Sequence, residues 1–320
     1  MRHEMHDQPT TNTHTIYAIT RKLQRFSSKS YRPKCLDLFA GCGGMSLGFY
    51  SANFDIIASV ENDTIAAQTH ARNFDSEYDP SMWQEQTPPR DITAQCPHAL
   101  AKELGYNDPA DAFDVIIGGP PCQPYARIGR AKLRDVTDKP EAHTADPRGD
   151  LYTHFLHYIK ELSPVAILME NVPDIMNHSN SNVVEQISLE LEKLGYRARY
   201  TLLNSAHFGV PQMRDRVFLV AYHNALSPDT WFPEPTHYCD LPPGYDGSRA
   251  VALKGVNLFA HGHFIDPGQP DPSLPNSVTV REALSDLPEI TLHKEGKLKR
   301  GAKRFNELSF YRENNLENIS

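Results

Sequence analysis

The chain predicts an α/β fold with a mostly parallel sheet and a late antiparallel hairpin, on three observations. Short apolar runs alternate with amphipathic stretches from Lys34 onward, which is the texture of repeated βα units. Several of the runs are apolar throughout, as strands covered on both faces must be. Two late runs follow each other with no helical stretch between them, which fits an antiparallel pair at the sheet edge.

The elements follow in order. CLDLFAG from Cys35 reads as a strand, MSLGFYSAN as a helix, DIIASVE as a second strand and DTIAAQTHARNF as a second helix. FDVIIGG, from Phe113 to Gly119, is the third strand; the helical RGDLYTHFLHYIKELS leads to the apolar run VAILMEN, and NVVEQISLELEKLG is helical again. YRARYTLLN and DRVFLVAYH complete the sheet as the hairpin, joined by the loop SAHFGVPQMR. Residues 1–30 are expected to be a loose polar arm with a short helix near Ile16 to Phe26, and residues 31–224 the α/β domain. From 225 to 320 a second, irregular region is expected. Its prolines, including Pro228, Pro233, Pro235, Pro242, Pro243, Pro267, Pro270, Pro272 and Pro275, disfavour regular helices and central strands, with a short helix at TVREALSDL near its end.

Composition narrows the function classes. Of 320 residues, 32 are Lys or Arg and 40 are Asp or Glu, a net charge of −8 that excludes a nonspecific polycation and requires any nucleic-acid surface to be a local patch. The five cysteines (Cys35, Cys42, Cys96, Cys122, Cys239) form no CxxC pair, which argues against a zinc ribbon and against a secreted disulfide framework. His3, His6 and His14 lack the cysteine or carboxylate frame of a metal site. With no long apolar run and no apolar leader, the expectation is a soluble, cytoplasmic protein without metal.

In open α/β sheets ligands bind beyond the carboxyl ends of the strands, so the loops there carry the functional reading. DLFAGCGG, from Asp37 to Gly44, places Gly41, Gly43 and Gly44 where backbone passes close to a ligand; it matches neither GxGxxG nor a Walker sequence, so a nucleoside without phosphates fits it. Glu61 ends the second strand, where a carboxylate meets ribose hydroxyls. Asp91 and Ile92 offer a carboxylate and an apolar face to an adenine. GGPPCQPY presents Cys122 after a stiff double proline, and Glu170 stands with Asn171 at the end of an apolar strand.

These motifs, in their order, resemble those of the DNA (cytosine-5)-methyltransferase family: DLFAGCGGMSLGF, ASVEND, RDI, GGPPCQPY, RGDLY, MENVP and FGVPQMRDRVF, from about Lys34 to His223. The resemblance implies a Rossmann-like methyltransferase fold and S-adenosyl-L-methionine as cofactor, held by Asp37, Phe39, Gly41, Gly43, Glu61, Asp91 and Ile92. It implies Cys122 as the nucleophile, Glu170 as the hydrogen-bonding partner of cytosine N3, and Arg214 and Arg216 as cations near the base and the attacking loop. DNA is the implied partner, with cytosine flipped into the pocket, in a restriction-modification or self-marking setting.

The pattern departs from the family in two places. Ala126 follows Tyr125 where a serine is common, and the two closing motifs expected after a target-recognition region are not found after His223. Residues 225–320 therefore read as a linker and a partial recognition region, and a second polypeptide is a possible supplier of the missing parts. The basic run Lys294, Lys297, Lys299, Arg300, Lys303 and Arg304 could touch DNA phosphates, and it reads at least as readily as a solvated charge run or a disordered linker. Two alternatives stay open: a tRNA cytosine-5 methyltransferase, and a noncatalytic cofactor-binding subunit with the same fold.

Overall fold

The structure is a computed structural model that describes residues 13–74, 88–121, 151–177, 182–226, 231–242, 249–254 and 262–285, with 247 and 256 singly. Its strands are β1 (Lys34–Leu38), β2 (Asp55–Val60), β3 (Val115–Gly118), β4 (Ala166–Asn171), β5 (Tyr196–Asn204) and β6 (Asp215–His223). They form one six-stranded sheet in the order β2-β1-β3-β4-β6-β5. The first four strands pair in parallel, whereas β6 runs antiparallel to both β4 and β5. The predicted α/β class with its late hairpin is therefore the observed one.

Side-chain chemistry accounts for the layering. The VIIG strand β3 is buried throughout, and β1 is buried from Cys35 on. On one face, Leu36, Leu38, Ile116, Ile167 and Met169 pack with Phe155, Tyr158, Ile159 and Leu162 of α5 (Leu151–Leu162) and with Ile187 and Leu191 of α6 (Val183–Lys193). Each fully buried large side chain contributes about 1.5 to 3 kcal/mol. The opposite face holds a smaller cluster, Cys35, Val115 and Ile117, against Met45 and Phe49 of α2 (Gly44–Ser51). α3 (Thr64–Phe74) lies beside β2, and the short α4 (Pro97–Glu103) packs on α5.

The loose arm expected over residues 1–30 contains a docked helix, α1 (Thr13–Arg25). Lys22 is fully buried and its Nζ donates to the carbonyls of Leu162 (3.1 Å) and Ser163 (2.8 Å), satisfying acceptors that the end of α5 leaves open. Burial lowers the Lys22 ammonium to about 7. Arg21 and Arg25 reach Asp108 and Asp111.

Contacts divide the chain into two compact units, 1–277 and 278–320, and described residues after 224 pair with the sheet edge. The pairing is through backbone: Phe264 bridges to Tyr200 on β5, with Tyr200 N donating to His263 O at 2.9 Å and Ile265 N to Tyr200 O at 2.9 Å. Residues 249–254 are helical despite the surrounding prolines, because the stretch between Pro243 and Pro267 contains none. In the second unit, the expected short helix is α7 (Val280–Ala283), where Thr279 and Glu282 cap each other reciprocally.

From β1 the chain crosses to β2 on one side, while β3 and β4 lie on the other. The carboxyl ends of β1 and β3, paired at Leu38 and Gly118, therefore flank the topological switch point.

Candidate active site

A glycine turn closes the end of β1. Phe39 (φ 59°), Gly41 (φ 54°) and Gly43 (φ 94°) all adopt left-handed backbone, which is costly for Phe39 and natural for the glycines. At Gly43 there is a second constraint, since a Cβ would run into the rings of Phe74 and His70. The turn is fixed from β2: Phe39 N donates to Val60 O at 2.8 Å, and Gly41 N donates to Glu61 Oε2 at 2.9 Å. Glu61 Oε1 accepts from Asp63 N at 2.8 Å, so the carboxylate is held on both sides by backbone.

Beneath the turn lies Asp37, fully buried on the face of β1 that meets α2. Its Oδ2 accepts from Ser46 Oγ at 2.6 Å, and Ser46 Oγ is 2.9 Å from His70 Nε2, while Asp37 Oδ1 has no hydrogen-bond partner among the described residues. Burial pushes the Asp37 carboxyl up to about 7, with Glu61 nearby adding to the shift. Burial lowers His70 to about 4, so its ring is neutral at physiological pH. Neutral His70 can donate from Nε2 to Ser46, which in turn donates to Asp37.

Asp91 is exposed and one of its oxygens, Oδ1, accepts from both the backbone N and the Oγ1 of Thr93 at 2.8 Å; the backbone bond, aided by the hydroxyl, lowers its pKa. The segment is tied to β2 through Arg90 N and Glu61 O at 2.7 Å. Ile92 is only 6% exposed and belongs to the main core, so its first role is packing.

Across the switch point, the exit of β3 meets the end of β4. Arg216 Nε lies 2.8 Å from Glu170 Oε1, and a Cβ on Gly119 would stand 3.5 Å from Glu170 Oε2. Both members of the pair are partly exposed, at 19% and 26% of their side chains, which leaves them reachable from outside. Register explains the meeting: Glu170 pairs with Phe218 and Arg216 stands two residues away on the same face of β6. Asn171 is buried; its Nδ2 donates to Pro120 O at 3.0 Å and its Oδ1 accepts from Val172 N at 2.9 Å. This clamp fixes the backbone just before Cys122.

The structure thus brings Asp37, Phe39, Gly41, Gly43 and Glu61 together at the carboxyl end of β1, and Glu170 with Arg216 at that of β4, on the far side of β3. Arg214 is not brought to the pair: it is exposed, and its backbone carbonyl accepts from Ser205 N at 3.0 Å. Cys122, Gln123, Tyr125 and Ala126, with His3, His6 and the basic run from Lys294 to Arg304, lie outside the described residues. Sequence reasoning missed three contributors. Asn171 stood in view beside Glu170, but its partner Pro120 is 51 residues away; Ser46 and His70 sit on helices whose patterns gave no signal for a buried polar chain.

The arrangement suits a nucleoside ligand carrying positive charge: a tight turn, carboxylates at Asp37, Glu61 and Asp91, and a buried carboxylate oxygen with no partner among the described residues. The model of the C-5 cytosine-specific DNA methylase family matches residues 33–314, and the chain belongs to that family. Its cofactor is S-adenosyl-L-methionine. M.OihORF3336P of Oceanobacillus iheyensis, named as a type II methyltransferase, is 34% identical over 281 residues, covering 87% of this chain and 57% of that protein. The type II methyltransferase M.AquIA of Picosynechococcus is 35% identical over 268 residues, covering 81% of this chain and 90% of the relative. A crystal structure of an Escherichia coli prophage-encoded DNA modification methyltransferase superposes with a TM-score of 0.53 at 26% identity, covering 81% of this chain and 56% of the other. The chain spans little more than half the length of two of these three proteins. Among the described residues, no helix is long and apolar enough to cross a membrane.

Proposed function

We propose that the chain transfers a methyl group from S-adenosyl-L-methionine to C5 of a flipped cytosine in DNA, as the modification enzyme of a type II restriction-modification system. The observation that carries this reading is the meeting of Glu170, Arg216 and the Asn171-clamped Pro120 beside the glycine turn. It supports a nucleophile at Cys122 delivered next to a carboxylate and a cation. Cytosine C5 is a weak nucleophile; thiolate addition at C6 turns it into an enamine that can accept the methyl group. Loss of the C5 proton then expels the cysteine. In this reading Glu170 holds N3, while Arg216 keeps that carboxylate in place and lends positive charge to the thiolate's surroundings. Asp37, Phe39, Gly41, Gly43, Glu61, Asp91 and Ile92 form the cofactor side, and Arg214, free to reach outward, serves the attacking loop.

The test is transfer of tritiated methyl from the cofactor to DNA, with tRNA as the competing substrate. Cys122→Ala is expected to abolish transfer and covalent trapping by 5-fluorocytosine DNA while retaining cofactor binding. Normal turnover in that variant would refute the assignment.

The reading extends to a second polypeptide that supplies target recognition and the closing motifs. Support comes from the relatives: M.AquIA is matched over nearly its whole length, while the others carry extensive sequence outside the match. The purified chain is then expected to bind cofactor yet methylate duplex DNA weakly until the complement is added. Robust site-specific methylation by the chain alone would exclude it.

A further inference from the structure

Among the described residues, the charges around the glycine turn are unbalanced. Asp37 is fully buried on β1, and its strand neighbours in register, Ser59 and Ile117, are uncharged. The titratable groups that face it are Glu61 from the end of β2, the Cys35 thiol on its own strand and, through Ser46, the neutral imidazole of His70 on α3. None of these supplies a positive charge. A buried carboxylate whose donors, among the described residues, all come from Ser46 is costly to ionise, and a cation arriving nearby removes that cost.

We propose that the chain His70, Ser46, Asp37 is a positioning device for the positively charged methionine end of the cofactor, and that cofactor binding expels the proton held by Asp37. This rests on the reading of the glycine turn as the cofactor site. His70 is the anchor for two reasons. Its Nε2 lies 2.9 Å from Ser46 Oγ, fixing the hydroxyl so that its proton points to Asp37 Oδ2. Its ring also packs with Phe74 (centroids 4.7 Å apart) against the backbone of Gly43, so the same side chain shapes the turn and orients the acid below it. In the proton balance, the Asp37 carboxylic acid becomes a carboxylate, the proton leaves to solvent, and the ligand's positive charge takes its place. Because the acid titrates near 7 in the free protein, affinity is expected to rise with pH up to about neutrality and then level off.

The test is calorimetric titration of the full chain with S-adenosyl-L-methionine between pH 6 and 8.5, in buffers of different ionisation enthalpy, which counts protons released. The wild type is expected to release about half a proton per cofactor at pH 7, as a group titrating there must. Asp37→Asn should abolish that release, while any proton from the cofactor's own amine persists. Ser46→Ala should move the midpoint of the affinity profile upward by about one to two pH units, the worth of a hydrogen bond to a charged group. His70→Leu should move it by about half a unit, acting one bond further away, and His70→Gln, which keeps a donor, should restore it. Thermal melting of each variant separates these effects from unfolding. Cofactor binding without proton release, or an unchanged profile in Ser46→Ala and His70→Leu, overturns the proposal alone. A folded wild type that binds no cofactor overturns the site reading, and this inference with it.

Discussion

The two ends of the parallel strands use charge differently. At the amino ends, cations on α1 close onto acceptors within the protein: Lys22 onto the Leu162 and Ser163 carbonyls, and Arg21 and Arg25 onto Asp108 and Asp111. At the carboxyl ends, the donors to Asp37, Glu61 and Asp91 among the described residues are neutral, namely Ser46, the amides of Gly41 and Asp63, and Thr93. The Glu170 and Arg216 pair is the exception there, and it stands open to the outside. Among the described residues, one end has its charges paired and the other leaves its carboxylates without a cationic partner. The first should respond to substitution with lost stability, the second with lost function.

Glu170→Gln breaks the carboxyl end most sharply. Removing a positioned acid-base group costs about 10² to 10⁴ in rate, so methyl transfer should fall within that range while DNA binding changes little. Equal losses in both, measured by single-turnover kinetics and DNA titration, would make Glu170 a structural partner of Arg216 only. Lys22→Ala tests the opposite end. It opens a cavity under α1 and leaves two carbonyls short of a donor, an expected loss of about 2 to 4 kcal/mol in denaturant unfolding. Cofactor affinity should stay within about twofold, about 0.4 kcal/mol, because the described partners of Lys22 are the Leu162 and Ser163 carbonyls at the amino ends. A large affinity change would mean the ends are coupled.

Asn171→Ala sits on the boundary between the two behaviours. The side chain is buried and serves Pro120 O and Val172 N at once, so its loss should cost about 1 to 3 kcal/mol of stability. Because the clamp fixes the backbone leading to Cys122, kcat should fall at least about tenfold, as displaced catalytic groups do. Cofactor affinity should not follow. If rate and affinity fell together, the clamp would be holding the whole switch point and not the loop.

The sheet was legible because its signals are local. Six apolar or alternating runs gave six strands, and the helix-free gap between YRARYTLLN and DRVFLVAYH gave the hairpin. What escaped depends on distant partners. Lys22 reads as a solvated charge by residue type, and only the open carbonyls at the end of α5 bury it. Residues 263–265 read as proline-flanked loop, yet they add to the edge of β5 because that edge had unpaired backbone to offer. At the site, the glycines and carboxylates were visible as types in positions. The Asn171 clamp and the Ser46 and His70 chain were not, since hydrogen bonds across 51, 9 and 24 residues leave no periodic trace.

The smallest expected effect is also the most diagnostic of the carboxyl end. The Asp37 carboxyl titrates about 3 units above its ordinary 3.8, so folding favours its protonated form. Stability from this group is fully present below about pH 4, declines as the unfolded chain ionises first, and is gone once pH passes about 7. A shift of that size sets a ceiling of about 4 kcal/mol, and relaxation of the surroundings around the charge leaves about 1 to 2. Asp37→Asn keeps a carbonyl to accept from Ser46 and carries no charge. It should therefore match the wild type near pH 4 and exceed it by about 1 to 2 kcal/mol at pH 8, read as urea midpoints across that range. Saturating cofactor should narrow the difference by stabilising the wild type more than the variant, because the ligand supplies the charge that Asp37 lacks. A variant no more stable than the wild type at pH 8 would show that Asp37 already has its counter-charge within the protein, and the contrast between the two ends of the sheet would fall.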